Sequence, residues 1–349
     1  MRGWDALAQG IDAINILQKC AENSAKVDRI QYEVRTKRSQ LPSASRSEGL
    51  GSQAIEAVVK REGNNIVVTG IERFYTDGRF IKDEVVRQVV TPNFLAVGID
   101  GEKAQHSAGI VTVEQVKEQI PGILSSGQFG FELDGYIGDG IRVTDLMLLE
   151  PDKVKHSGTS DVNGFACQQI DADTKYGFFS VYIDTSNSHA VRRIVSVRRQ
   201  GDIQYGGEVY FSHMSPVKTF TETLDNMEFE MLDGVCVPVK GNLQYIREDS
   251  DGRIFPGKSE FVRENINLDP VFDKNTFSAD FLKGEVVSNL DDNESGIVYI
   301  WDGEKPVPAY TMLEGTAFMQ GYAGYFRLFS MLAGILMIAY ALYRMLIKK

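Results

Sequence analysis

The sequence predicts an α+β protein that is mainly β: a large, curved antiparallel sheet that stays unclosed, helices covering its concave face, and one C-terminal transmembrane helix. Three observations lead to this fold class. Short segments rich in Val, Ile, Phe and Tyr are separated by clusters of Asp, Ser, Asn and Gly, as in antiparallel strands joined by turns. Other segments repeat apolar residues at helical spacing. Leu328–Tyr343 contains no charged residue.

The clearest strands lie within Val162–Arg199. Its apolar, β-branched segments are bounded by turn-forming residues, including the run Asp184–Ser188. This pattern predicts a three-stranded antiparallel meander. The predicted strands are Phe165–Asp171, Tyr176–Ile183 and Val191–Arg199.

Further strands are predicted on both sides of this meander. The spacing of roughly 10 to 15 residues between turns suits a large meandering antiparallel sheet. The Glu62–Asn65 turn joins two of these strands into a hairpin. The predicted strands are Asp28–Arg38, Gln53–Arg61, Asn64–Phe74, Phe80–Val90, Phe94–Ile99, Glu208–Phe211, Asn226–Leu232, Val235–Arg247 and Lys258–Leu268.

Residues 1–27 are predicted to form an N-terminal amphipathic helix of the domain. Apolar residues recur there at helical spacing, and Asp5 and Asp12 interrupt the apolar core that a signal peptide would need. Two further helices are predicted, at Val111–Ser126 and at Ile141–Glu150, because apolar residues share one face in the first and form a short apolar segment in the second.

Residues 28–310 are predicted as the sheet domain, residues 311–326 as a juxtamembrane linker, and residues 327–347 as a transmembrane helix. A span needs roughly 20 residues, and basic residues at both ends of the uncharged stretch can extend it by snorkelling. A buried core helix is the alternative interpretation. The basic residues that follow the stretch favour a cytoplasmic C-terminus. The prediction is a single-pass inner-membrane protein with a periplasmic domain; because no export signal is seen, a tail anchor with a cytoplasmic domain is the alternative.

The composition argues against several function classes. A net charge of −11 does not suit a nucleic-acid partner, which needs clustered Lys and Arg. Cys20, Cys167 and Cys236 form no CxxC pair and are interpreted as ordinary buried thiols. The four histidines lack a spaced metal-ligand partner, and there is no GxSxG elbow. The sequence therefore predicts no enzyme activity, no cofactor and no metal site.

Several motifs resemble those of the outer-membrane lipoprotein carrier and sorting proteins (the LolA/LolB-like superfamily). The similar segments are Gly164–Ile170, the Tyr176-Gly177 pair, Val181–Asp184, the Arg193-Ile194 pair and Met231–Pro238. The resemblance implies an unclosed β half-barrel over residues 28–310, helices lining its concave side, and binding of acyl chains. With the predicted anchor, the chain is similar to a large membrane-anchored bacterial member, which favours a fixed acceptor or handover role over shuttling.

The sequence thus predicts non-enzymatic binding of a hydrophobic ligand in the concave face, in lipoprotein sorting or lipid handover at the bacterial envelope. The predicted partners are lipid or lipoprotein acyl chains, the membrane through the C-terminal helix, and an envelope protein. An envelope-stress sensor or protein-interaction domain on the same fold is the alternative, and a hydrolase is a third hypothesis. The predicted ligand-binding residues, chosen from the drier face of each of two strands, are Phe179, Val181, Ile183, Met227, Phe229 and Met231.

Overall fold

The computed structural model describes residues 2–40, 51–92, 94–100, 105–109, 128–205, 207, 209, 211, 216–278, 281, 283–289, 299–303 and 305–309. These residues form two compact units. The first comprises Met1–His106 and Ile110–Ala279, and the second comprises Ser107–Gly109 and Asp280–Lys349.

The first unit is mainly β. Among its described residues the helices are α1 (Arg2–Ala25) and α2 (Val143–Leu148), with 3₁₀ turns at Phe131–Asp134 and Pro151–Lys153. Its first strands are β1 (Arg29–Gln40), β2 (Gly51–Glu62), β3 (Asn65–Thr76), β4 (Arg79–Thr91) and β5 (Phe94–Asp100). Its later strands are β7 (Val154–Val162), β8 (Phe165–Thr174), β9 (Gly177–Asp184), β10 (Ala190–Arg199), β11 (Val217–Leu232), β12 (Val235–Asp249) and β13 (Ile254–Asn267).

These strands pair antiparallel in the order β5-β4-β3-β2-β1-β13-β12-β11-β10-β9-β8-β7. Two meanders, β1–β5 and β7–β13, meet where β1 pairs with β13, with Thr36 opposite Phe261. Between them the chain crosses from one sheet edge to the other. The described residues show no pairing between β5 and β7, so the sheet is unclosed, as the sequence predicts.

The edge strand β7 pairs with β8 and contains a β-bulge. The register shifts between His156 and Gly158, and Gly158 has φ +115°, a conformation that only glycine adopts without strain. Between Val154 and Val162 the strand carries no large apolar residue.

The second unit contains the Ser107–Gly109 part of β6 (Gln105–Gly109) and three short strands. Ser107 pairs in parallel with Ser288 of the first of these strands, and the remaining pairings are antiparallel. Trp301 is buried, and its ring makes an edge contact with Phe281 at 5.5 Å between centroids. The short strands are β14 (Val286–Asn289), β15 (Tyr299–Trp301) and β16 (Pro306–Pro308).

The helical part of the predicted fold class is wrong. Helices α1 and α2 pack at the β7–β10 end of the sheet and do not form the expected layer over a concave face. Residues 128–142 lie over β1, β12 and β13 instead. This segment contains the 3₁₀ turn at Phe131–Asp134 and ends just before α2. Gly130, Gly135 and Gly138 have φ of +78°, +91° and +68°, and such left-handed residues interrupt an α-helix. The predicted helix at Val111–Ser126 lies outside the described residues.

The predictions of a transmembrane helix and of a single-pass inner-membrane location are also corrected. Within the part of the chain that the structure describes, no helix combines the length and the apolar character needed to cross a bilayer. The predicted span, residues 327–347, lies outside that part. The predicted linker, residues 311–326, lies outside it as well. The predicted domain boundaries remain predictions.

Candidate functional site

One face of the first unit's sheet forms a hydrophobic core with α1 and α2. Alternation along the strands places every second side chain on this face, so neighbouring strands contribute aligned apolar residues. Val181 of β9, for example, lies between Ile170 of β8 and Ile194 of β10. The cluster consists of Ala13, Leu17, Cys20, Leu133, Ile137, Val143, Leu146, Met147, Val154, Ile170, Ala172, Tyr176, Phe179, Val181, Ile183, Ile194, Leu224, Met227, Leu243 and Phe261.

The three β9 residues predicted to bind ligand lie deep in this core. Phe179, Val181 and Ile183 are completely buried. They are members of the hydrophobic cluster and do not line the cavity described next. The structure therefore shows them in core packing, and ligand binding by them remains a prediction.

A cavity of about 40 Å³ lies beside the core, between the end of α1 and strands β10–β12. Two of the predicted β11 residues, Met227 and Phe229, line it. The sheet also contributes Ala190, Val191, Ile194, Leu224, Cys236 and Pro238, and the turn before β10 contributes His189. The remaining lining residues are Asn23, Ser24, Val27, Leu133, Asp134, Gly135 and Thr144. The sheet wall is almost wholly apolar, which suits contact with hydrocarbon.

Met231, the remaining predicted residue, is not part of this cavity. Its side chain is 57% exposed. Met231 pairs with Cys236, close to the Asp233-Gly234 turn that joins β11 to β12. Alternation predicts the face of Phe229 for it, and its partner Cys236 is buried and lines the cavity, whereas Met231 itself is exposed.

The cover of the cavity is attached to the sheet by a buried ion pair. Arg263 of β13 donates to both carboxylate oxygens of Asp134 at 2.8 Å, and to the Gly130 carbonyl at 2.6 Å. Both side chains are buried. Burial alone would raise the pKa of Asp134, but the adjacent Arg263 guanidinium holds that pKa below its ordinary value. The carboxylate is therefore ionised, and the pair fixes residues 130–134 over β13.

A second polar group joins the cover to α1. Arg142 donates to the Asp28 carboxylate at 2.6 Å and to the Ser24 carbonyl at 3.1 Å. Arg61 of β2 lies 3.4 Å from the same carboxylate and donates to the Tyr136 hydroxyl at 2.7 Å. These contacts connect the end of α1, residues 136–142 and β2.

Two buried polar side chains lie next to the cavity wall, one on β10 and one on β11. Ser196 and Glu222 are opposite each other on β10 and β11, two residues from the cavity-lining Ile194 and Leu224. The Ser196 hydroxyl and the Glu222 Oε2 atom have no hydrogen-bond partner, and both residues are buried. Burial raises the pKa of Glu222 to about 7, and Arg198 partly opposes that rise.

Reactive groups are scarce around the cavity. Cys20, Cys167 and Cys236 are free and buried, as the sequence predicts, and burial raises the pKa of Cys20 to about 12 and that of Cys167 to about 11. Such thiols stay protonated and are poor nucleophiles. Among the described residues, no group of three His, Cys, Asp or Glu side chains is placed to hold a metal ion.

No family model and no curated protein matches this sequence. Solved structures do match. A DUF1329 family protein from Desulfovibrio piger is 10% identical, over 77% of this chain and 97% of that chain, with a TM-score of 0.39. A LolA superfamily protein from Nitrosomonas europaea is 14% identical, over 77% of this chain and 99% of that chain, with a TM-score of 0.35.

Lipovitellin, in a structure concerned with its lipid–protein interactions, is 9% identical over 70% of this chain and 26% of that chain, with a TM-score of 0.28. The LolA-like superfamily, which the sequence motifs resemble, is thus among the structural matches. At these identities and scores, the likenesses carry no ligand or role over to this chain.

Proposed function

We propose that this protein binds the acyl chain of a lipid or lipoprotein, without catalysis, in the cavity between α1 and strands β10–β12, and that it serves in lipid handover or lipoprotein sorting. The observation that carries the proposal is the apolar sheet wall of that cavity, formed by Ile194, Leu224, Met227 and Phe229. An acyl chain needs apolar lining and shape, and this wall offers both.

The cavity has to widen to admit a chain. Its volume of about 40 Å³ holds little more than one water molecule, whereas ligand pockets of folded proteins measure roughly 300 to 1,000 Å³. Asn23 and Ser24, at the end of α1, form one side wall of the cavity. We infer that this end of α1 lifts from the sheet when the ligand enters.

The energies favour this exchange. From Asp12 onward, the buried side chains of α1 are Ala13, Leu17 and Cys20, a narrow stripe with one large member. Exposing a buried Leu costs about 1.5 to 3 kcal/mol, whereas ten buried methylenes of an acyl chain contribute on the order of 8 kcal/mol. A chain of ordinary length therefore outweighs the exposure of Leu17.

The test is binding of the apolar dye N-phenyl-1-naphthylamine to the purified full chain, with displacement by dodecanol. We expect saturable binding that Leu224→Asp and Met227→Lys weaken by about tenfold or more, because each places a charge in the apolar wall. Ile246→Ser is the matched control, since Ile246 is an exposed apolar residue of the neighbouring strand β12. Absence of saturable binding, or equal weakening by the control, contradicts the proposal.

A further inference from the structure

The sheet face that forms the cavity wall changes from apolar to polar between one pair of residues and the next. Ile194 and Leu224 line the cavity, and the next inward-facing pair along the same two strands is Ser196 and Glu222. Two residues along a strand correspond to about 7 Å. Phe179 and Tyr245 flank this polar pair on β9 and β12. Neither Ser196 nor Glu222 lines the cavity in its present form, so the head group of an amphiphile reaches the pair when the cavity widens past Ile194 and Leu224.

Each of the two polar side chains has an oxygen atom without a hydrogen-bond partner. Ser196 is 0% exposed and Glu222 is 5% exposed, and neither the Ser196 hydroxyl nor Glu222 Oε2 makes a hydrogen bond. An unpaired buried polar group costs about 1 to 3 kcal/mol, and more when it is charged. A pair of such groups side by side, next to a cavity, is what a site for a polar ligand group presents before the ligand binds.

The charges around the pair select a cation. Arg198 of β10 is the cation that faces Glu222, and it is hydrogen-bonded to the Tyr176 carbonyl and to Asp139, at 3.4 Å from the latter. Asp202 also acts on Arg198 electrostatically. Arg199 offsets the charge of Asp202, to which it also donates its backbone N–H. With Glu222 and Asp139 ionised, the buried Arg198 guanidinium faces two carboxylates. The site then has surplus negative charge, which an incoming ammonium group neutralises.

We propose that Ser196 and Glu222 form a head-group subsite for a primary ammonium, so that the ligand is an amine-bearing amphiphile. The ammonium donates to Glu222 Oε2 and to the Ser196 hydroxyl, which are the two unpartnered acceptors. This inference rests on the proposed function, since it takes the chain of the same ligand to lie in the cavity.

The experiment compares three amphiphiles with one chain and different head groups. Dodecylamine, dodecanol and dodecanoic acid, each kept monomeric, displace N-phenyl-1-naphthylamine from the full chain at pH 8. We expect dodecylamine to act at a concentration about tenfold or more below that of dodecanoic acid, as hydrogen bonds to charged groups imply. Dodecanol lies between them.

Two substitutions assign the preference to the subsite. Glu222→Gln keeps the shape of the side chain and is expected to bring the amine and the acid within about twofold, without changing dodecanol. Ser196→Ala is expected to reduce the preference for the amine in part, and this variant tests the subsite if Glu222→Gln fails to fold. Glu230→Gln is the matched control, because Glu230 is an exposed carboxylate on the same strand β11. Lowering the pH from 8 to 6 protonates Glu222 and is expected to weaken the amine preference.

The outcomes separate the two proposals. If the dye binds and the three amphiphiles displace it equally, or if Glu222→Gln and Ser196→Ala leave the amine preference intact, the ammonium subsite is refuted while chain binding stands. If neither dye nor amphiphile binds, the proposed function fails, and the subsite fails with it.

Discussion

Arg263 is the residue on which the cover of the cavity depends. Its guanidinium is fully buried, lies 4.3 Å from the centroid of the Tyr32 ring, and contacts Asp134 and Gly130 of the covering segment. A buried charge is tolerated when its hydrogen bonds are made, and losing one partner leaves the other charged and desolvated. The pair therefore fixes one arrangement of residues 130–134 over the sheet.

Replacing Arg263 by Met is expected to lower the free energy of unfolding by about 3 to 5 kcal/mol, because Asp134 is left as an unpaired buried carboxylate. Urea unfolding at pH 7 measures the loss. The double variant Arg263→Met, Asp134→Leu is expected to recover much of it. Lys258→Met, which removes an exposed ion pair with Glu260 on the same strand β13, is expected to cost less than about 1 kcal/mol. A loss for Arg263→Met as small as this control contradicts the role given to the pair.

Buried ion pairs of this kind could not be predicted from the sequence. Arg263 and Asp134 are 129 residues apart, and neither residue stands in a recognisable motif. The same holds for Glu222, which looks like one of many surface carboxylates until β10 and β12 are paired with its strand. Alternation did place Met227 and Phe229 on one face of a strand, and the structure puts both at the cavity. Their neighbours Ile194 and Leu224 become neighbours only through strand pairing.

At the scale of the element, strands were predictable where apolar and polar residues alternate without interruption. β8, β9 and β10 agree closely with the predicted meander. β11 spans Val217–Leu232, whereas the predicted strand began at Asn226. The reason is physical: Glu222 occupies a buried position, and a register shift at Asp225 breaks the alternation, so the first half of the strand lacks the pattern of a half-buried strand.

Strand β3 contains a second element-level constraint. Gly70 lies opposite Ala57 of β2, and a Cβ atom at Gly70 would stand 2.5 Å from both the Ala57 Cβ and the Glu56 carbonyl oxygen. These are backbone or backbone-attached atoms that cannot turn aside. The β2–β3 pair can approach this closely only with glycine at that position.

Gly70→Ala is accordingly expected to lower the free energy of unfolding by about 1 to 3 kcal/mol through overpacking. Gly51→Ala is the control: Gly51 belongs to β2, and a Cβ there meets nothing within 4 Å. Its effect is expected to stay within about 0.5 kcal/mol. Thermal or urea unfolding distinguishes the two variants, and equal effects would show that the close approach at Gly70 relaxes freely.

At the scale of the whole molecule, buried carboxyl groups shape the dependence of stability on pH in two opposite ways. The pKa of Asp134 is lowered in the fold, so its stabilising effect is present above the ordinary value of 3.8 and is lost as the pH falls through its folded pKa. The pKa of Glu222 is raised from 4.5 to about 7, so its contribution is full below 4.5 and is lost as the pH rises through 7. Asp139, also raised by burial, acts in the same direction as Glu222.

We therefore expect the free energy of unfolding to be greatest near pH 4 and to fall between about pH 4.5 and pH 7. Urea titrations from pH 3 to pH 9 measure the curve. Glu222→Gln is expected to flatten the decline above the maximum and to be more stable than the natural chain at pH 8, by on the order of 2 kcal/mol. Glu230→Gln is expected to leave the curve unchanged. A natural chain whose stability rises steadily up to pH 8 would contradict the assignment of Glu222.

The overall architecture was only partly predictable. Alternation and turn chemistry are local, and they were sufficient for a mainly β, antiparallel sheet, whereas the unclosed half-barrel was implied by the family resemblance. The helical layer, implied by the same resemblance, is wrong, because α1 and α2 pack at the β7–β10 end of the sheet. The expected membrane helix rested on hydropathy and on the basic residues that flank the uncharged stretch, and both are local features that an apolar segment of another kind can share.

The bulge in β7 bears on how copies of this protein meet one another. An unpaired sheet edge displays free N–H and C=O groups that another extended chain can adopt as a template. In β7 the extra residue near Gly158 breaks the regular spacing of those groups, and the flanking Lys155 and Asp161 are exposed and charged. Because the spacing of these groups changes at the bulge, a second strand could form regular hydrogen bonds with only one half of this edge at a time. The irregularity thus disfavours edge-to-edge aggregation of a sheet whose described strands form no closed barrel.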